Sequence, residues 1–336
     1  MASSKIEVMA PSRLHFGLID LSLKGYRIDG GVGLALKSPS LMVTLNREER
    51  SLSDPMRLLL NNCAAAVGAD LANEWSVTLG GDLRRHVGLG SGTQLRLALA
   101  AAALACVEST RPLTEVAPAL GRAGTSGIGS WGFWLGGVLA DGGHDRSTKG
   151  QAAPSSATTP RRMPPLMHRG SFPWITVVAI ARGLKNVYGD LEKSLFQKLT
   201  PVPEHETAAV YALTYGQLLP AAYERDFDSF CSALEAYQAL GFKSREIAFQ
   251  GAAAVSAMET MRRAGLSGVG MSSWGPAFFG FTTSHGLART ITEQLADSSQ
   301  FEAAWSSEAS GSGAEMSIDD GPWLPARSVV ASDLAH

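Results

Sequence analysis

Gly88, Gly90 and Gly92 bracket Ser91, and Thr93 follows just before an alanine- and leucine-rich run that reaches Val107 without an internal glycine or proline. Glycine allows positive φ and close approach of the backbone, so successive N–H groups can converge on phosphate oxygens. The first turn of the helix that follows adds about half a positive charge. A hydroxyl from Ser91 or Thr93 would complete a site for phosphate or for its Mg2+. The competing structural reading is a glycine-rich turn whose helix is capped by Ser91 or Thr93, because glycine spacing by itself is a weak signal.

The chain around this loop has 336 residues, enough for one to two domains. Charged residues make up 18%, hydrophobic ones 45%, and the formal net charge is −2, so no basic excess points to nucleic acid. Cys63, Cys106 and Cys231 are widely spaced and build neither a zinc pattern nor a disulfide framework, which suits a reducing cytoplasm. The N-terminus lacks a hydrophobic core of signal-peptide length, and the longest apolar run, 97–107, is too short to span a bilayer. A membrane partner is not expected.

Short runs at 6–9, 13–19, 32–36 and 41–45, separated by Pro11, Gly25, Gly30, Gly31 and Pro39, predict strands and turns. Helical spacing follows at 55–67, a strand at 75–79, the glycine loop with its buried helix, and a second helix at 113–120. Residues 121–143 are dense in glycine, which predicts tight turns or backbone approaching a ligand. Residues 145–172 turn to Ser, Thr, Pro and Arg and predict a long, partly mobile loop. A strand at 174–181 precedes helices at 206–219, 224–240 and 247–263, then strands within 265–283, a helix at 285–295 and a last strand near 301–305. Residues 307–336 are small and polar and read as a surface tail. The order predicts an α+β protein of two lobes with a cleft between them, 1–170 and 171–306, followed by that tail.

Six blocks, in order, resemble the GHMP kinase superfamily and within it the non-kinase family of β-ribofuranosylaminobenzene 5′-phosphate synthases. They are Ser12-Arg13-Leu14-His15-Phe16-Gly17-Leu18-Ile19-Asp20, Arg27-Ile28-Asp29-Gly30-Gly31-Val32-Gly33, the loop Gly88 to Thr93 with Gln94, Gly121-Arg122 with Gly124-Thr125-Ser126-Gly127-Ile128-Gly129, Asp141-Gly142-Gly143-His144, and Ser272-Ser273-Trp274-Gly275-Pro276. The resemblance implies a GHMP kinase-like fold: an N-terminal lobe like ribosomal protein S5 domain 2 and a ferredoxin-like α+β C-terminal lobe. It implies decarboxylative C-glycosyl transfer, in which 4-aminobenzoate or a 4-hydroxybenzoate analogue attacks C1 of phosphoribosyl pyrophosphate with loss of CO2 and pyrophosphate, on the route to tetrahydromethanopterin-type cofactors. Mg2+ would accompany the diphosphate, and a homodimer is expected.

On this resemblance Asp20, Asp141 and His144 are the candidate catalytic residues, with Asp20 and Ser91 the candidate metal ligands. Arg13, Arg27 and Arg122 would grip the 5-phosphate or the aromatic carboxylate, and His15, Asp29, Thr125, Ser126, Ser272 and Ser273 would complete the substrate site. Each has a structural competitor: a strand-end carboxylate at Asp20, a turn pair at Asp29-Gly30, a turn cap at Asp141, satisfied imidazoles at His15 and His144, ion pairs for the arginines, and a closed turn for the serines. His86 has no partner spacing and is assigned to surface or core. Ala123 stands where glycine is expected, Met271 where a polar residue is, and 131–135 is bulkier than usual, which opens the readings of altered substrate fit or a non-catalytic ligand-binding paralogue. The glycine loop by itself would also permit a small-molecule kinase using ATP.

Overall fold

The computed structural model describes residues 4–47, 55–71, 75–154, 157–158, 160 and 162–331. The chain opens with two long antiparallel strands, β1 (Lys5–Asp20) and β2 (Arg27–Arg47). The four short strands expected here are these two, carried through their prolines. The register shifts between Ala10 and Ser12, where Pro11 falls, and the opposing strand passes from Leu41 to Leu36 at the same place, so Pro39 sits in the irregular stretch. A bulge of this kind accommodates a residue that cannot donate to the ladder and lets the strand continue. After α1 (Pro55–Ala66), β3 (Trp75–Gly81) adds to β2, and the glycine loop leads into α2 (Ser91–Cys106). Nearly all of α2 beyond its first turn is buried, and its alanines let it lie close against the sheet.

The glycine-dense segment is less irregular than its composition predicts. Following α3 (Leu113–Ala119), it forms α4 (Ile128–Leu135) and β4 (Val138–Asp141), because Ile128, Trp131, Phe133 and Trp134 bury one short apolar helix in the core. The bulk at 131–135 therefore fills the protein interior. The expected loop at 145–172 begins with β5 (His144–Asp145) and α5 (Arg146–Lys149) and includes β6 (Leu166–Gly170), which pairs with β4. It is anchored by a lysine the composition hid: Lys149 is buried and donates to Asp29 Oδ2 at 2.5 Å. Residues 155–156, 159 and 161 of that segment lie outside the described residues.

The next part builds a second sheet. β7 (Ile175–Ala181) is followed by α6 (Gly189–Leu199), α7 (Glu204–Leu213), a π turn (Thr214–Leu218), α8 (Leu219–Glu224), α9 (Phe227–Gln238), α10 (Gly241–Gln250) and α11 (Ala252–Arg263). Then come β8 (Ser267–Met271), β9 (Ala277–Thr282), α12 (His285–Asp297) and β10 (Phe301–Ser307). The strand order β10-β7-β9-β8, all antiparallel, is the ferredoxin-like arrangement. One face packs on α11 and α12. The other, through Phe279 and Phe281, joins α9 and the first sheet in a common core.

The polar tail expected at 307–336 is not what the fold builds. β11 (Glu315–Ile318) pairs with the outer edge of β1, β12 (Leu324–Pro325) follows it, and α13 (Ala326–Val330) returns to the core with Ala326 and Val330 buried. Alternation buries Met316, and the Asp319 carboxylate accepts from the backbone N–H groups of Ser4 and Lys5 at 2.7 and 2.9 Å. Small polar residues hid a strand whose partner is more than 300 residues earlier in the chain. The first sheet thus runs β12-β11-β1-β2-β4-β6, with β3 and β5 also on β2.

Phe16 joins the two sheets: it is fully buried on β1 and meets the rings of Phe230, Phe279 and Phe281 at 5.2–6.4 Å. Truncation of such a side chain costs about 3–5 kcal/mol. Phe16→Ala is expected to lower the urea midpoint by that amount of stability, and a loss under about 1 kcal/mol would show that the sheets are not coupled through this ring.

Candidate active site

Where the two sheets meet, a cavity of about 420 Å³ opens over the start of α2. Its phosphate-loop side is Gly88, Gly90, Ser91, Gly92 and Thr93. Gly90 has φ 81° and is followed by the helix with no side chain capping it and no acidic residue in the first turn. The N–H groups of Thr93 and Gln94 turn back to the Gly90 carbonyl, at 3.0 and 3.1 Å. Among the described residues those of Ser91 and Gly92 have no such partner, and with the helix dipole they make this end a donor surface for an anion.

The loop is held from both lobes at one atom. The Gly88 carbonyl accepts from Arg13 Nη1 at 2.7 Å and from Ser272 Oγ at 2.7 Å, and the Ser272 hydroxyl in turn accepts from the His15 backbone N–H at 3.0 Å. Close approach explains Gly88: a Cβ there would lie 2.5 Å from the Ser272 carbonyl. Ser272 is fully buried and acts as this pin, while Ser273, held by its N–H to the His15 carbonyl at 3.1 Å, lines the cavity.

Of the other residues singled out in the sequence, Arg13, His15, Arg122, Thr125 and Ser126 also line the cavity. Burial, reinforced by Arg13 and Lys243 nearby, pushes the His15 imidazole well below its ordinary range, so it is neutral at pH 7. Burial brings Arg13 down to about 10, against the pull of Glu246 and Glu192, so it stays charged. Ala123 has φ 64°, a conformation that favours glycine, which is why glycine is the expected residue at that position.

Asp20, Arg27, Asp29, Asp141 and His144 are not among the residues lining this cavity. Asp20 Oδ1 accepts from Ser22 N and Oγ, at 2.9 and 2.7 Å, closing the turn after β1. Asp20 is thus engaged in this turn and does not line the cavity that Ser91 lines. Arg27 donates to the carbonyls of Gly142, at 2.9 Å, and Gly143. Asp141 accepts from Ser126 Oγ, from the N–H of Gly127 at the start of α4, and from Gly143 N–H, at 2.9, 2.9 and 3.0 Å. Its burial raises it to about 6 despite those bonds. Asp29 Oδ2 binds His144 Nδ1 at 3.0 Å as well as Lys149. This cluster sits one layer behind the wall: Lys149 also reaches the Ala153 carbonyl at 3.5 Å, which accepts from Thr125 Oγ1 at 2.7 Å. Met271, the other departure, is buried in β8 and packs near Gly275.

Several cavity residues had no sequence signal. Glu246 lines the cavity and is buried with Lys243, whose ammonium lies 2.5 Å from it and donates to the Ser273 carbonyl at 2.9 Å. Glu192, Leu18, Phe196 and Trp274 complete an acidic and an apolar wall. His86, assigned to surface or core, lies at the cavity with its ring 5.2 Å from that of Tyr188. Leu18 and Trp274 fall within the family blocks, whereas no motif marked Glu192, Phe196 or Glu246. For Mg2+ the donor set is hard oxygen: the Ser91 and Thr93 hydroxyls and the Glu192 carboxylate fit an ion that takes most of its ligands from substrate phosphates and water. Among the described residues no three His, Cys, Asp or Glu side chains come together as a cage.

Residues 218–300 match the family described as GHMP kinases C terminal. The fold is similar to that of a putative sugar kinase from Campylobacter jejuni, with a TM-score of 0.64 at 12% identity, covering 95% of this chain and 99% of that one. Fold and loop together define a GHMP kinase-like α+β protein. In sequence the chain is 35% identical over 298 residues to the β-ribofuranosylphenol 5′-phosphate synthase of Archaeoglobus fulgidus, covering 87% of this chain and 93% of that protein. It is 34% identical over 292 residues to the enzyme of the same name from Methanothermobacter thermautotrophicus, covering 82% and 88%. The chain belongs to the β-ribofuranosylphenol 5′-phosphate synthase family, and is an enzyme of that type. No described helix is long and apolar enough to cross a membrane.

The depressed His15 makes a stability prediction with a definite sign. Its folded pKa lies below the unfolded value of about 6.5, so its contribution is intact above that pH and is lost as pH falls toward the folded value. His15→Gln should lose less stability between pH 7.5 and 5 than the wild type, by up to about 2 kcal/mol at 1.4 kcal/mol per pH unit. Urea unfolding at the two pH values measures this, and parallel losses in both proteins would mean that His15 titrates normally.

Proposed function

We propose that the protein joins phosphoribosyl pyrophosphate to 4-aminobenzoate or its 4-hydroxy analogue, releasing CO2 and pyrophosphate, on the route to tetrahydromethanopterin-type cofactors. The observation that carries this reading is the uncapped start of α2 facing an apolar and acidic wall across one cavity. The names of the relatives support a ribosylated aromatic product carrying a 5′-phosphate. Whether the para group is amino or hydroxyl changes neither the electron flow nor the residues invoked.

In this reading the Ser91 and Gly92 amides hold the diphosphate and stabilise the negative charge that grows on it as the C1–O bond breaks. Bound Mg2+, held by Ser91 and Glu192, would neutralise further charge on the same leaving group. The ribosyl carbon becomes cationic facing the Glu246 and Glu192 carboxylates, which lower the energy of that centre. Burial pushes Glu246 up, against the pull of Lys243 and Arg13. The aromatic ring lies on Leu18, Phe196 and Trp274, and neutral His15 accepts a hydrogen bond from the para N–H or O–H. That bond pushes electron density to the carboxyl-bearing ring carbon, which forms the new C–C bond. The C–CO2 bond then breaks and its electron pair restores aromaticity, so no proton has to be delivered to the ring. An apolar setting favours this step, because a poorly solvated carboxylate gains by leaving as neutral CO2.

Incubation with phosphoribosyl pyrophosphate, Mg2+ and carboxyl-labelled 4-aminobenzoate or 4-hydroxybenzoate is expected to release labelled CO2 and pyrophosphate in equal amounts. Ser91→Ala should lower kcat by about tenfold or more through the lost hydroxyl. No labelled CO2 from either acid across pH and Mg2+ concentration would refute the reaction, and ATP-dependent phosphorylation of a small alcohol would replace it with the kinase reading.

A further inference from the structure

Lys243 is fully buried, and its ammonium meets two residues that line the cavity: Glu246, through Oε2 at 2.5 Å, and Ser273, to whose carbonyl it donates at 2.9 Å. Lys243 itself is not among the lining residues, so it has no direct access to a substrate. It stands in the first turn of α10, which carries no acidic residue.

Position and burial both count against a lysine here. A cation in the first turn of a helix opposes the dipole, and a buried ammonium loses its hydration. Burial pushes Lys243 down and Glu246 up, and each pulls the other back. For stability alone, a buried ion pair is often no better than apolar side chains of the same volume. What this pair supplies is orientation. With Oε2 held, the plane of the Glu246 carboxylate is set, and the Ser273 carbonyl on the same ammonium fixes its place relative to the turn after β8. That turn is itself pinned: Ser273 has φ 52°, and its N–H donates to the His15 carbonyl at 3.1 Å. The His15 N–H in turn donates to Ser272 Oγ, which holds the Gly88 carbonyl. One chain of hydrogen bonds therefore runs from the glycine loop to Glu246, and Lys243 is its last link. Arg13 also attracts Glu246, but its Nη1 is committed to the Gly88 carbonyl.

We infer that Lys243 is a positioning residue for the reaction: it fixes the Glu246 carboxylate relative to the phosphate loop, so that the cationic ribosyl carbon meets a carboxylate already in place. The inference rests on the proposed reaction and adds to it a residue that lies behind the cavity wall. Preorganisation of a charge in this way lowers the barrier because nothing has to reorient as the C1–O bond breaks.

A double-mutant cycle on the full-length protein tests this, with phosphoribosyl pyrophosphate, Mg2+ and the benzoate that releases labelled CO2. Lys243→Met is expected to lower kcat by about tenfold or more while KM for each substrate moves less than about threefold, the mark of an interaction made in the transition state. In a Glu246→Gln background the same change should cost less than about threefold in kcat, because the carboxylate that Lys243 orients is gone. Melting temperature and circular dichroism establish that each variant is folded, and Lys243→Gln takes the place of Lys243→Met, with the same expectation, where the latter is not. A folded Lys243 variant with kcat within about threefold of the wild type, beside a slow Glu246→Gln, overturns the inference and leaves the reaction standing. Equal losses in both backgrounds, or a loss confined to KM, also overturn it, since Lys243 would then act on the fold or on binding. A wild type that releases no CO2 from either acid removes the reaction and this role with it.

Discussion

The Gly88 carbonyl is the point on which the site depends. Arg13 from the first strand and Ser272 from the turn after β8 both donate to it, so one oxygen ties the glycine loop to both sheets. A loop with positive φ at Gly88 and Gly90 has many conformations open to it in isolation. With its carbonyl fixed from two sides, the peptide planes beyond it are set, and the amides at the start of α2 point into the cavity before any ligand arrives. Preorganisation of this kind removes the cost of ordering donors at the moment of reaction. The Ser272 hydroxyl also accepts from the His15 N–H, so the same pin sets the strand segment that carries the imidazole.

Much of this was legible in the sequence because it is local. The glycine loop and the alanine-rich helix follow from residue type and spacing, and so do the strands and helices of the second sheet. Ala123 stood out against the family pattern, and its φ of 64° in the structure explains why glycine is expected there. What stayed hidden depends on distant partners. A strand made of Glu315, Met316, Ser317 and Ile318 has too weak an alternation to be recognised until its neighbour on β1 is known. Nothing in the sequence singles out Lys149 or Lys243, and both are buried against carboxylates.

The carboxylates the family pattern picked out lie one layer back from the cavity, and their bonds explain why the site needs them there. Asp141 accepts from the start of α4 and from Ser126 Oγ, so it fixes a hydroxyl that reaches the cavity. Gly31 on the neighbouring strand is close enough that a Cβ would lie 2.4 Å from that hydroxyl and 2.9 Å from His15 Nε2. Asp29, neutralised by Lys149 and bonded to His144, secures the segment that brings Ala153 under Thr125. Arg27 closes the turn at Gly142 and Gly143. Loss of any of these would move cavity groups without removing one.

The remaining charges are sorted by position. The start of α2 and Arg122 make one side of the cavity positive, while Glu192 and Glu246, the latter paired with Lys243, line the wall contributed by α6 and α10. Arg13 stands between them, bonded to the loop and within electrostatic reach of both glutamates. A substrate whose C1–O bond ionises places a polyanion on the first side and a cation toward the second. In the low-dielectric cavity each half of that charge separation meets a fixed charge of opposite sign, where water would have to reorient.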